Sequence, residues 1–361
     1  MMGGHKLERL ARPSSAEATK QSIISLSWGN AMKRHLLMAA ALFGGSLAGA
    51  SLLTASPSFA KDEKIAVIIK ATDSDFWQYM VVGAKNYAHD HPGVSVTIYG
   101  PPSETDVDQQ VSILENVVTR HPDGILIAPS SSDAPVEAIG QAISQGIPVV
   151  TADNRVRGVT VTGHLATDNI KAGGQAAQTL VDMLKAAGKP LKGKIGMISA
   201  YAGVQVLTDR DKGFSTKLAE IAPDLKLLPV RYIDNDIQKG MSSATDVISA
   251  NPDILGFFAD NNHSADGTAL AIQSSGKTGQ LVAIGFDSDP QEVDALKSGD
   301  LSALVVQDPY SLGYKGVQFV IDAINKKPVA AYTDTGVALI TKSNMDQPDM
   351  KGLLNPLTRK E

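Results

Sequence analysis

The sequence predicts an α/β protein built as two doubly wound parallel-sheet lobes, and three observations carry that expectation. From Lys64 onward, short β-branched runs alternate with amphipathic helical stretches, the pattern of βαβ units whose sheets are covered on both faces. The pattern runs through two successive series, a strand, a polar turn and a helix recurring at roughly 25–30 residues, with no low-complexity linker between them. The chain has 361 residues, 43% apolar and 20% charged, which suffices for two cores and argues against disorder.

In the first series, strands are expected at 64–70 (KIAVIIK), 94–100 (VSVTIYG), 124–129 (GILIAP), 147–153 (IPVVTAD) and 158–164 (GVTVTGH). Helices at 75–90, 105–120 and 134–145 separate the first four. The second series places strands at 193–200, 226–233, 254–259, 281–287 and 301–307 among helices at 168–187, 207–221, 237–250, 263–275, 290–298 and 310–326. The lobes are expected at 61–166 plus 308–335 and at 167–307 plus 336–361, joined by several short crossings that act as a multi-strand hinge. A ligand cleft between them would lie outside the carboxyl ends of the strands, where doubly wound sheets hold their ligands.

The N-terminus reads differently. Met32–Ala60 carries Lys33 and Arg34 before an uncharged stretch that closes on Ser58-Phe59-Ala60, the small-x-small pattern of a secretory signal cleaved after Ala60. Residues 1–31 then read either as an extension ahead of that signal or as the product of a start codon chosen too early. An uncleaved anchor is the competing reading, because Leu36–Leu53 could just span a bilayer. Residues 1–60 hold six of the 33 basic and two of the 38 acidic residues, so the remainder carries 27 against 36, a formal charge of −9. That balance disfavours nucleic acid and anionic membrane surfaces as partners. Cysteine is absent, which excludes disulfides, thiolate metal sites, a thiol nucleophile and a lipid-modified cysteine. The expectation is a soluble protein exported to a periplasm.

The residues that follow the expected strands are chemically biased. After 64–70 come Asp73, Ser74, Asp75, Phe76 and Trp77, with Lys70 at the strand end; after 147–153 come Asn154 and Arg155, with Asp153 at the end. The other series supplies Asp234, Asn235 and Asp236, then Asp260, Asn261 and Asn262, then Asp287, Ser288 and Asp289, then Gln307 and Asp308. Carboxylates accept hydrogen bonds from hydroxyls, amides donate and accept, and an aromatic face covers the C–H patches of a sugar ring. Each such hydrogen bond nets about 1 kcal/mol against water, so many must converge. Two plainer readings compete. Phe76 and Trp77 could be core residues at a helix start, since neighbouring helical residues point about 100° apart. Asp73, Ser74, Asp234 and Asp287 could be helix caps.

Seven motifs in register carry a resemblance across 63–342: IAVIIKATDSDFWQYMVVGAK, DGILIAPSSSDAPVEAIGQAISQGIPVVTADN, HLATDNIKAGGQAA, TDRDKGF, FFADNNHSADGTALAI, VAIGFD and VVQDPYSLGYKGV. The chain resembles the ribose- and galactose-type periplasmic sugar-binding proteins, the soluble receptors of ABC importers. The resemblance implies a monosaccharide or a related polyol or cyclitol as ligand, an importer permease as partner, a monomer, no cofactor, no metal and no catalysis. It places ligand contacts on Ser74, Phe76, Trp77, Asp153, Asn154, Arg210, Asn235, Asn261, Asp287 and Gln307, with Lys70 where some hexose receptors also carry a lysine. Ser74, Trp77, Asn154 and Asn235 depart from the ribose-type residues, which argues against ribose and for a pocket wider or less apolar beside Asn235. Arg210→Ala is expected to abolish binding with little loss of fold. A sensing receptor for chemotaxis or a sensor kinase would use the same cleft.

Other trails are weaker. AIQSSGKT at 271–278 fits a relaxed phosphate-loop pattern but ends a helix, so Gly276 reads as part of a C-terminal cap. His89 and His91 flank Asp90 and read as a solvated face, and His164 and His263 as structural groups. No HExxH, GxSxG or paired-glycine dinucleotide motif favours an enzyme. A repressor of the same fold would need an N-terminal helix-turn-helix where the signal stands.

Overall fold

The computed structural model describes residues 62–358; the expected signal and the extension before it lie outside them. The first series runs β1 (Glu63–Ile68), α1 (Asp75–Asp90), β2 (Val94–Tyr99), α2 (Val107–Thr119), β3 (Gly124–Ile127), α3 (Val136–Ser144), β4 (Val149–Ala152) and β5 (Gly163–Ala166). The second runs α4 (Asn169–Ala186), β6 (Gly193–Ser199), α5 (Gln205–Ile221), β7 (Leu225–Leu227), β8 (Arg231–Tyr232), α6 (Ile237–Ala250), β9 (Ile254–Ala259), α7 (Asn262–Ser274), β10 (Val282–Phe286), α8 (Pro290–Ser298) and β11 (Ala303–Val306). The chain then adds α9 (Pro309–Ile324), β12 (Thr333–Asp334), β13 (Ala338–Thr341) and α10 (Pro348–Leu354). None of the described helices is long and apolar enough to cross a membrane.

Two sheets result, ordered β12-β5-β4-β3-β1-β2 and β13-β11-β10-β9-β6-β7, with β8 also on β6. This is the two-lobed α/β fold that the strand and helix pattern predicts. Alternation along β1 shows why both faces are covered: Ile65, Val67 and Ile69 join one apolar cluster with α1 and α9, while Ala66 and Ile68 join another with α2 and α3. In the second lobe, Val282, Ile284 and Phe286 of β10 pack with α4 and α5, and Ala283 packs on the opposite face.

Each lobe takes a helix from the far side of a crossing. Helix α4 follows β5 but packs in the second lobe, and α9 follows β11 but packs in the first. The third crossing is 335–337, between β12 on the first sheet and β13 on the second. Each exchanged helix meets its neighbour backbone to backbone through glycines. A Cβ on Gly83 of α1 would lie 2.0 Å from the Tyr310 carbonyl oxygen, and one on Gly313 of α9 would lie 1.9 Å from that of Met80. In the other lobe, Gly173 of α4 would meet the Arg210 carbonyl at 2.0 Å, and Gly213 of α5 that of Ile170 at 2.1 Å.

Three segments differ from expectation. The strand expected at 158–164 is a loop until Gly163, because Val156, Val159 and Val161 pack on the α2/α3 cluster without entering the ladder. The strand expected at 226–233 is two short pieces around Pro229, which has no N–H to donate. Beyond 335 the chain adds β13, antiparallel to β11, so the second sheet is parallel except at that edge.

Candidate ligand-binding cleft

The carboxyl ends of both sheets open onto one cavity, where doubly wound sheets hold their ligands. Nine of the eleven residues expected from sequence line it: Lys70, Ser74, Phe76, Trp77 and Asp153 from the first lobe, Arg210, Asn261 and Asp287 from the second, and Gln307 at a crossing. The aspartates that end β4 and β10 occupy corresponding places in the two sheets, and both have left-handed backbone, with φ of 64° at Asp153 and 90° at Asp287. Asp is among the few non-glycine residues that adopt this region readily, and such local strain clusters at functional sites.

On the first lobe, Lys70 Nζ donates to Asp153 Oδ2 at 2.5 Å with both side chains buried, and stands 5.2 Å from the Trp77 ring centroid. Trp77 Nε1 donates to Glu104 Oε1 at 2.6 Å, which fixes the indole plane. Phe76 meets Trp77 edge to face, with centroids 4.8 Å apart. Both rings belong to the core cluster and both line the cavity, so the choice between core and cleft was a false one.

On the second lobe, Arg210 is 2% exposed. Its Nε and Nη2 donate to Asn169 Oδ1 at 3.1 and 2.8 Å, its Nη1 donates to the Asp260 carbonyl, and the guanidinium lies 3.5 Å from the Phe286 ring centroid. Beneath it, the Asp260 carboxylate accepts from Ser199 Oγ, Ala200 N and Ser264 Oγ. Asp287 Oδ1 accepts from Gln307 Nε2 at 2.7 Å. Burial pushes the Asp287 pKa up to about 6, against the opposing pull of Arg210 and Gln307. Asn261 caps α7 through Oδ1 and donates from Nδ2 to Asn235 Oδ1 at 2.7 Å.

Asn154 and Asn235, the other two expected residues, do not line the cavity. Asn154 spends its amide on backbone, donating to the Pro129 carbonyl and accepting from Val206 N, and so bridges the lobes. Asn235 stands behind Asn261, its side-chain oxygen occupied by that residue and its carbonyl accepting from the His263 imidazole. Nor do the four suspected caps cap. Ser74 precedes α1 without a side-chain capping bond, Asp234 pairs with Lys239, and the side-chain caps are made by Asp168, Asp236, Asn261, Asp289 and Asp308. Gly276, at φ 63° just past the end of α7, terminates that helix.

Two polar lining residues escaped the sequence reading. Glu104 follows β2 and Tyr201 follows β6, so extending the strand-end rule to those two strands would have found them. Burial and the carboxylates of Glu104 and Asp73 push the Tyr201 phenol well above its ordinary pKa, so it remains a hydroxyl. Asn262 and the apolar Val204, Val206 and Leu207 complete the second-lobe wall. Among the described residues, no group of three or more His, Cys, Asp or Glu could hold a metal ion. The arrangement offers fixed donors and acceptors around ring plates, which suits binding of a neutral, hydroxyl-rich molecule.

Fold and cleft together define a type I periplasmic sugar-binding protein. The chain belongs to the periplasmic binding protein domain family, whose model matches residues 65–328. It is similar to the D-allose-binding periplasmic protein of Escherichia coli (strain K12), 32% identical over 288 residues that cover 78% of this chain and 90% of the relative. Among solved structures, it is similar to a carbohydrate transporter solute binding protein from Agrobacterium radiobacter in complex with D-arabinose, at 36% identity and TM-score 0.78, covering 82% of this chain and 100% of that one. An ABC transporter solute binding protein from Agrobacterium vitis with bound D-fucose matches at 36% identity and TM-score 0.76, covering 81% of this chain and 99% of that one.

Proposed function

We propose that the protein captures a monosaccharide, or a related polyol or cyclitol, by closing its lobes around it and delivers it to the permease of an ABC importer. The observation that carries this reading is the convergence of side chains from both lobes on one cavity. Only the closed arrangement brings Lys70, Asp153, Phe76 and Trp77 within reach of the same molecule as Arg210, Asn261 and Asp287, so ligand binding favours closure by the contacts it adds. The relatives with D-allose, D-arabinose and D-fucose support a pentose or hexose over a charged solute. The charged and amide side chains would hold the hydroxyls, and Phe76 and Trp77 the apolar edge of the ring.

In this reading the lobes divide at 166/167, 307/308 and 335/336, where the chain passes from one sheet to the other, and these crossings bend on closure. The protein acts as a periplasmic monomer after removal of residues 1–60, and its work is binding, with no chemical step. A thermal-shift screen across pentoses, hexoses, polyols and inositols tests the proposal, since a ligand at 100 times its Kd adds about 2.7 kcal/mol of stability. One sugar or polyol is expected to raise the Tm strongly; indifference to the whole panel would sink the reading.

A further inference from the structure

Past Asp153 lies a second cavity. Asp153 lines both, and Arg210 of the first is gripped by Asn169 of the second, so the two cavities adjoin. The far cavity also lies between the lobes: Arg155 of the first pairs with Asp209 of the second at 3.4 Å on its lining.

Its lining repeats the chemistry of the first. Of the five large apolar side chains that the described residues leave exposed, two, Ile170 and Tyr332, stand at this one cavity. The Tyr332 ring lies 5.9 Å from the His164 ring, tilted by 30°. His164 is itself buried and bonded through Nδ1 to Thr151 Oγ1, and burial lowers its pKa to about 4, so it is an uncharged polar ring. An aromatic plate beside carboxylates, a guanidinium and a neutral imidazole is a surface for a second hydroxylated ring. A purely structural gap between closing lobes gives no reason to leave Tyr332 and Ile170 half-exposed at the same place.

We propose that this cavity is a second carbohydrate subsite, so that the protein takes a sugar extended by a second ring or a comparable substituent, the first ring in the cleft and the extension beyond Asp153. The proposal rests on the reading of the cleft as a sugar site and extends the ligand from a single ring to a ring that carries a substituent.

Calorimetric titration of the purified protein tests it with D-allose, D-ribose, D-arabinose and D-fucose, each free, as its phenyl glycosides, and as disaccharides linked at different hydroxyls. At least one extended ligand is expected to bind tenfold or more tightly than its parent monosaccharide. Tyr332→Ala should bring that ligand back to within threefold of the parent while leaving the parent within twofold of its wild-type affinity. Tyr332 is half-exposed, so its truncation leaves the core intact, and Tyr332→Phe, which keeps the ring, should retain the gain. Extended ligands that all fall short of a tenfold gain over their parents, or a Tyr332→Ala variant that weakens parent and extended ligand alike, would overturn the second subsite while leaving the cleft as a monosaccharide site. Absence of binding by every free and extended sugar would overturn both.

Discussion

The two lobes are built to one plan and solve the same electrostatic problem differently. The strands that end in Asp153 and Asp287 hold matching places, and each lobe packs an exchanged helix across a glycine crossing. The first lobe meets its buried carboxylate with a lysine at 2.5 Å and sets two aromatic rings beside it. The second spreads one guanidinium over an amide, a backbone carbonyl and a phenyl ring, and buries several carboxyls elsewhere in the lobe as well as beside it. Burial there pushes Asp211 up to about 8, Asp260 and Asp287 to about 6 and Asp266 to about 9, and raises Glu292 as well. Close pairing gives the first lobe a rigid floor. Distributed compensation makes Arg210 the keystone of the second, and the carboxyls raised by burial are concentrated in that lobe.

Arg210→Ala should therefore have the largest effect, and a larger one than its sequence suggested. Beyond abolishing binding, it would strip the partner from Asn169 and the counter-charge from Asp260 and Asp287, at a cost of about 2 kcal/mol or more in stability. Denaturant unfolding of ligand-free protein checks this; a variant as stable as wild type would mean that the carboxylates do not depend on Arg210. Lys70→Met offers the contrast, because its removal uncovers Asp153 alone.

The glycine crossings test whether the lobes are equivalent in packing. Gly83→Ala and Gly173→Ala each drive a methyl to 2.0 Å from a carbonyl oxygen, so each helix pair must separate, at about 1–3 kcal/mol. Equal losses of Tm would sharpen the parallel. A second calorimetric transition in only one variant would show that one lobe can unfold alone.

Asp266 carries the pH prediction. Its two carboxyl oxygens are buried without a protein donor, and burial with Asp289 nearby raises its pKa from 3.8 to about 9. Across that window the native state keeps a proton that the unfolded chain has released, so stability falls as pH rises, by up to about 1.4 kcal/mol per pH unit for one proton. Asp266→Asn should flatten the fall of Tm between about pH 5 and 8, gaining on wild type toward alkaline pH. A slope identical to wild type would place the titration on another group.

The smallest change concerns the first-lobe floor. Trp77→Phe keeps a ring plate but loses the hydrogen bond to Glu104, and ligand affinity should drop by about tenfold, the worth of about 1.4 kcal/mol. Indole emission from the wild type should shift on binding; an unchanged spectrum with a ligand that raises the Tm would remove Trp77 from the contact surface.

Much of this was legible in the chain. Runs such as KIAVIIK and ILGFFA announce strands covered on both faces, and the strand-end clusters, with the family resemblance that adds Arg210, name nine of the residues that meet at the cleft. The errors have physical causes. Pro229 splits a run that is otherwise strand-like, and the valines between 156 and 161 satisfy the core from a loop, which a period-2 pattern does not distinguish from a strand. Glu104 and Tyr201 lie after β2 and β6, at strand ends that the same rule covers.

By itself, then, the sequence determined which segments would be strands and helices and which residue types would crowd the strand ends, because burial and alternation are local properties of a chain. Only the tertiary structure decided that Asn154 would bridge the lobes through backbone partners and that Asn235 would stand behind Asn261. It alone joined Asn169 to Arg210 and set Tyr332 beside His164. The reason is directional: past a strand end, the turn of one residue such as Asp153 or Asp287 into left-handed backbone redirects the chain, and what it then meets comes from segments far along the sequence.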